Sequence, residues 1–314
     1  MLEMIATRDA YGETLVELGK EDQRIVVLDA DLSSSTKTAK FAKVFPNRFF
    51  NAGVAEQNLI GMAAGFASCG HVVFASSFAI FLTGRAWEQI RNTVASAELN
   101  VKVVSSHGGI SVGEDGLSHQ SVEDISLMRS IAHMKVVVPA DAKETVRVIK
   151  AATNMKGPMY IRLGRSKVPV ITRDEDTFAI GKANVLRQGN DISIIACGQM
   201  VGKALEASQL LEKKGIDARV INMHTIKPID KEAIITAARE TGAIVTAEEH
   251  SIIGGLGSAV SEVLSENSPV IMKRIGVKDM FGQSGSPEEL FKEYHLEPTD
   301  IAQAVEELVK QKVS

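Results

Sequence analysis

The chain is predicted to be α/β, with two domains that are each a mainly parallel sheet flanked by helices. Three observations carry this. Short, β-branched apolar runs recur along the chain without strict alternation, as strands covered on both faces require. Segments with helical apolar spacing separate them, the pattern of βα units. A turn-rich, poorly periodic stretch at residues 165–190 interrupts the series once, and 314 residues is itself a two-domain length. This places a first domain at 1–170, a linker at 171–190 and a second domain at 191–314.

The elements follow in order. Residues 8–18 carry the apolar spacing of a surface helix, and residues 25–28 form the first β-branched run. Residues 57–67 are small and apolar on every side, which predicts a buried helix. Strands are expected at 71–74, 101–104, 135–138 and 159–163, with helices at 86–95 and 142–152. The second series reads strand 192–196, helix 201–214, strand 218–222, helix 231–240, strand 244–247, helix 256–266 and strand 270–275. Ser286, Pro287 and Glu289 put a cap, an N1 proline and a capping-box glutamate in register. Asp300 with Gln303 is expected to do the same for the last helix.

Composition narrows the functions. Hydrophobic residues at 45% and charged residues at 24% supply a full core and argue against disorder. With 35 Lys and Arg against 39 Asp and Glu, no basic surplus favours nucleic acid or anionic membrane. No uninterrupted apolar stretch is long enough to cross a bilayer, and Met1-Leu2-Glu3-Met4 lacks the basic head of a signal peptide. A cytoplasmic location is expected. Cys69 and Cys197 are expected as buried free thiols in a reducing compartment.

Three constellations carry chemistry. The densest runs from Ser105 to Gln120 and follows a strand, where open α/β sheets bind ligands. Its glycines permit tight turns, and His107, Glu114, Asp115 and His119 offer proton transfer and hydroxyl recognition. A sheet-capping polar loop is the plain alternative. Glu56 opens the small-residue helix; a first-turn glutamate favoured by the helix dipole would explain it, yet a carboxylate there invites a ligand. Phe78 and Phe81 lie three apart after a strand, for core packing or for stacking on a flat heterocycle. Gly254-Gly255-Leu256-Gly257 reads as a tight turn packing helix on sheet, not as a dinucleotide loop. Arg162 and Arg165 flank Gly164 at a strand end and suit a phosphate. The other histidines, His71, His133, His224, His250 and His295, are isolated and expected to be structural.

Gly113-Glu114-Asp115-Gly116 followed by His119-Gln120 resembles the hallmark loop of transketolases. Ala6-Thr7-Arg8, Asp29-Ala30-Asp31-Leu32-Ser33, Ala55-Glu56-Gln57, Val138-Pro139-Ala140-Asp141 and Leu163-Gly164-Arg165 fit the same frame in order. The resemblance covers the whole chain and is to the C-terminal half of a transketolase, its pyrimidine-binding and C-terminal domains. The family's diphosphate domain holds its metal with a Gly-Asp-Gly motif, and this sequence contains no Gly-Asp dipeptide. The resemblance therefore implies one subunit of a split, two-subunit enzyme. An N-terminal, diphosphate-binding partner would hold Mg²⁺ or Ca²⁺, this chain would hold no metal, and it would dimerise within an α2β2 assembly.

The implied cofactor is thiamine diphosphate, and the implied reaction transfers a two-carbon ketol unit between sugar phosphates of the pentose phosphate type. By the same resemblance Glu56 hydrogen-bonds the ring nitrogen of the aminopyrimidine, Phe78 and Phe81 flank that ring, and Asp31 and Leu32 line the cofactor pocket. His107, Asp115, His119 and Arg165 match sugar-contacting residues, with His119 beside the reacting carbons and His107 and Arg165 on the phosphate. Two positions depart from the yeast-type pattern: Tyr11 for a phosphate-binding serine and Gly84 for a tyrosine near the pyrimidine. A further phosphate-binding arginine would precede the first residue. Alternatives within the class are a deoxyxylulose-phosphate synthase, which Glu114 disfavours, a 2-oxo acid dehydrogenase beta subunit, which the His107, Asp115 and His119 set disfavours, and a transketolase for an unusual sugar. A non-catalytic regulatory subunit of the same fold is the alternative outside it.

Overall fold

In the computed structural model, which describes residues 2–313, the apolar runs of the first half assemble into one seven-stranded sheet. From edge to edge its strands are Thr225–Lys227, Lys135–Val137, Met159–Arg162, Val101–Ser106, Val72–Phe78, Ile25–Asp29 and Phe49–Asn51. All neighbours pair in parallel except Thr225–Lys227, which runs antiparallel to Lys135–Val137. Every residue of Ile25–Asp29, Val72–Phe78 and Val101–Ser106 is buried, which is why these runs show no alternation. Ile25 and Val27 face the helices Thr7–Glu21 and Ala142–Asn154, while Val26 and Leu28 face the helix Glu56–Ser68.

The second sheet has five strands in the order Ile271–Val277, Ala243–Ser251, Ile192–Ala196, Ala218–Asn222 and Asn184–Arg187, parallel except for the last. Helices Met200–Glu212 and Pro298–Val313 cover one face. On the other, Ile195, Cys197, Ile221 and Met223 join a core that is continuous with Val26 and Leu28 of the first sheet. The two domains thus share one apolar interior.

Several expectations are corrected. Asn184–Arg187, placed in the linker, edges the second sheet, while Lys167–Pro169 pairs with Met4–Ala6 inside the first domain. Strands of three or four residues are too short to show a period. Thr225–Lys227, for which no element is expected, crosses back to the first sheet. The single helix expected at 86–95 is an α-turn Trp87–Gln89 followed by a π-helical stretch Ile90–Ala95, and a further π-helical turn, Phe81–Arg85, precedes them.

The helix Glu56–Ser68 is buried on one face only, with Gln57, Gly61 and Gly65 exposed. Cys69 is exposed and Cys197 buried. The Ser286 capping box forms as expected, but Asp300 is not a cap. It stands third in a helix that opens on Pro298, and its carboxylate reaches back to the Glu297 N–H at 2.9 Å. Among the described residues no helix is long and apolar enough to cross a membrane.

Candidate active site

Five neighbouring parallel strands deliver the candidate residues to one edge of the first sheet. In sheet order, Met159–Arg162 leads to Arg165, Val101–Ser106 to His107, Val72–Phe78 ends on Phe78, Ile25–Asp29 leads to Asp31 and Leu32, and Phe49–Asn51 leads to Glu56. All five leave at their carboxyl ends, where ligands bind in such sheets. Phe78 and Ser106 are register partners, so Phe78 and His107 emerge side by side.

An aromatic column fills the centre. The His107 ring stacks on Phe78 at 3.7 Å between centroids, and Phe78 stacks on Phe81 at 5.8 Å and 20°. The Arg85 guanidinium lies 4.2 Å over Phe81. His119 meets Phe81 edge-on at 5.2 Å. The two phenylalanines do not share a helix face: Phe78 ends the strand and Phe81 opens the π-helical turn that ends on Arg85. Beyond the column lies Glu56, its side chain only 4% exposed, with Oε1 accepting from Arg85 at 3.1 Å. Its Oε2 has no hydrogen-bond partner among the described residues.

The other end of the column is cationic. Burial first, and then Arg8, Arg165, His119 and Lys37, push the His107 imidazole down to about 3. His107 is therefore a neutral hydrogen-bonding ring at working pH, its Nδ1 bonded to Ser106 Oγ at 2.8 Å. Arg165 is half-buried and bonds the Val112 carbonyl and Glu114, while Asp115 is exposed at the end of the same loop. Arg8, in the first turn of Thr7–Glu21, donates to the Ser35 carbonyl at 3.0 Å, and its buried Nε has no partner among the described residues.

Tyr11 is buried in the core, with its hydroxyl on Ser76 at 2.8 Å, and the cation that acts on His107 from this helix is Arg8. One expectation fails here. Arg162 is no phosphate anchor: it is buried, with Nε on Asp124 at 2.7 Å.

Two supports had no role assigned from sequence. Asp29 closes its strand with a buried carboxylate that accepts from the Leu32 N–H at 2.6 Å and from the hydroxyls of Thr36 and Thr38. It shapes the turn that presents Asp31 and Leu32, and burial raises its pKa. Asn51 holds Asp31 in a left-handed conformation (φ 65°) through reciprocal bonds at 3.0 Å, and also accepts from the Gly53 N–H. A carboxylate and an amide ending adjacent apolar strands were the available signal.

The chain matches the transketolase pyrimidine-binding domain over residues 3–170 and the transketolase C-terminal domain over residues 181–301. It is 53% identical to a Methanocaldococcus jannaschii chain named as a transketolase C-terminal section, over 96% of each. It is 43% identical to the 6-deoxy-6-sulfo-D-fructose transketolase subunit of Clostridium sp., over 97% of this chain and 95% of that one. Against Homo sapiens transketolase it is 38% identical, with 97% of this chain matching only 49% of the human protein. Among solved structures, a split gene transketolase described as an inactive beta4 tetramer superposes with a TM-score of 0.91 at 53% identity, covering 98% of this chain and 99% of that one.

Proposed function

The chain belongs to the transketolase family, and from that premise we propose that it is the C-terminal subunit of a thiamine-diphosphate-dependent transketolase, moving a two-carbon ketol unit from a ketose phosphate to an aldose phosphate. The observation that carries this reading is the single sheet edge that presents a buried carboxylate, an aromatic column and a cluster of cations in that order.

The residues fit the cofactor. A flat aromatic face beside a carboxylate with one unengaged oxygen suits a planar pyrimidine bearing a ring N–H. When bound, the cofactor supplies the stabilisation of negative charge needed to break and form a carbon–carbon bond next to a carbonyl. Glu56 Oε2 holds and exchanges the proton at the ring nitrogen. Phe78 and Phe81 fix the plane of the ring, and the Asp31–Leu32 turn lines the pocket.

His107, Arg8 and Arg165 hold the sugar phosphate, with Arg165 as a charged fork and His107 as a neutral donor. Asp115 accepts from a sugar hydroxyl, and His119 relays protons beside the reacting carbons. In this reading a partner subunit holds the diphosphate and its Mg²⁺ or Ca²⁺, in an α2β2 assembly; the lack of a Gly-Asp dipeptide in this sequence supports a partner.

The test is reconstitution. The purified chain alone should show no ketol transfer; combined with a partner carrying Gly-Asp-Gly, it should transfer from a ketose phosphate donor. Robust turnover by the single chain would refute the split reading, and decarboxylative condensation of pyruvate with an aldose phosphate, in place of transfer from a ketose phosphate, would move the chain to the deoxyxylulose-phosphate synthase class.

A further inference from the structure

The loop that carries His107, Asp115 and His119 is gripped from the second domain. Glu249, on the strand Ala243–Ser251, lies buried at its base. Its Oε1 accepts from the Ser111 N–H at 2.6 Å. Gln199 Nε2 donates both to Glu249 Oε2 and to Ser111 Oγ. Gly109, at φ 90°, passes so close that a Cβ there would collide with the Glu249 carboxylate, and one on Gly108 would collide with Arg162. Arg162, locked on Asp124, donates in turn to the Glu249 main-chain carbonyl at 2.9 Å.

The far limb is held as well. Gln120 Nε2 donates to the Ile110, Gly113 and Gln283 carbonyls, and a Cβ on Gly282 would strike Gln120. The loop is therefore moulded on groups from Gln199, Glu249 and Gln283, all in the second domain, and none of these belongs to the proposed reacting site.

We propose that Glu249, together with Gln199, is a positioning residue for substrate: it sets the backbone path of residues 107–119 and thereby the place of His107, Asp115 and His119. The inference rests on the transketolase reading. It gives the second domain a task in sugar recognition, while Glu56, Phe78 and Phe81 hold the cofactor from other strands. Glu249 is acceptor-only and Gln199 presents its amide donor, so exchanging the two side chains preserves the donor and acceptor set. An amide at position 249 still turns its oxygen to the Ser111 N–H and its NH₂ to the carboxylate now at position 199.

The experiment uses the full chain with Glu249→Leu, Gln199→Leu and the exchange variant Glu249→Gln/Gln199→Glu. In the reconstituted complex each single variant should raise KM for a ketose phosphate about tenfold or more, with proton exchange at the thiazolium carbon within about twofold of wild type. The exchange variant should return KM to within about threefold. In the chain alone, hydrogen–deuterium exchange of the 107–120 peptide should quicken in the single variants and slow again in the double. Unchanged peptide exchange, equal losses in KM and thiazolium exchange, or no recovery in the double variant would each overturn the inference. If the wild-type complex shows no ketol transfer, the functional reading fails, and the peptide exchange still decides whether Glu249 positions the loop.

Discussion

Arg85 donates to Glu56 Oε1 at 3.1 Å while its guanidinium covers the Phe81 ring at 4.2 Å, so one exposed cation closes both the buried carboxylate and the aromatic face beside it. A planar pyrimidine with a ring N–H would make the same two contacts. Arg85→Met should destabilise the free chain by about 1–2 kcal/mol, because a buried carboxylate loses its charged donor and the pair is half solvated. Lysine should restore part of it. Thermal unfolding checks this, and the deficit should shrink in the assembled, cofactor-loaded complex. A deficit of the same size there would mean that Arg85 and the cofactor do not share Glu56.

Glu56→Gln should leave folding and assembly intact, since the amide oxygen still accepts from Arg85. It should slow proton exchange at the thiazolium carbon by about 10²-fold or more, because an amide cannot take and return the ring proton. Exchange at the wild-type rate in the reconstituted variant would remove Glu56 from that role.

Arg165→Ala should raise KM for phosphorylated sugars about 10- to 150-fold, the loss of one charge-assisted contact, and should spare an unphosphorylated donor such as hydroxypyruvate. Lysine should recover only part, since a point charge does not reproduce the fork. Equal losses for both donors would make Arg165 a brace for the 112–114 loop, whose Val112 carbonyl and Glu114 carboxylate it already bonds.

His107 carries a pH dependence with a defined sign. Its folded pKa is depressed to about 3, chiefly by burial. The unfolded chain takes up a proton near pH 6.5 that the folded chain refuses, so this contribution to stability is complete above about pH 6.5 and lost as pH falls towards 3. His107→Asn removes the titration. Between about pH 6.5 and 5 wild type should lose about 2 kcal/mol more stability than the variant, read by denaturant unfolding at both pH values. Parallel losses would mean that His107 titrates normally in the fold.

The parts of the site that were readable were those whose chemistry is local. Glu56 at a helix start, the glycine-rich loop from His107 to His119 and the paired Phe78 and Phe81 all announce themselves within a few residues. Arg8, Arg85 and Asn51 did not. Each looks like an ordinary polar residue at an element's end, and its importance lies in a partner on another strand or turn: Ser35, Glu56 and Asp31, respectively. Arg162 shows the converse, an arginine that reads as a phosphate anchor until burial and Asp124 turn it inward.

By itself the sequence determined the α/β class, the succession of strands and helices and the turns that bear chemistry, because hydrophobic period and turn composition act over a few residues. Only the tertiary structure decided which turns meet. Parallel strands are joined by long crossovers, so sheet order places neighbours that local pattern does not encode. That order sets Arg165, His107, Phe78, Leu32 and Glu56 along one edge. It sends Thr225–Lys227 back to the first sheet. It also brings Glu249 against Ser111, 138 residues away, where a buried carboxylate must find a donor and the loop supplies one.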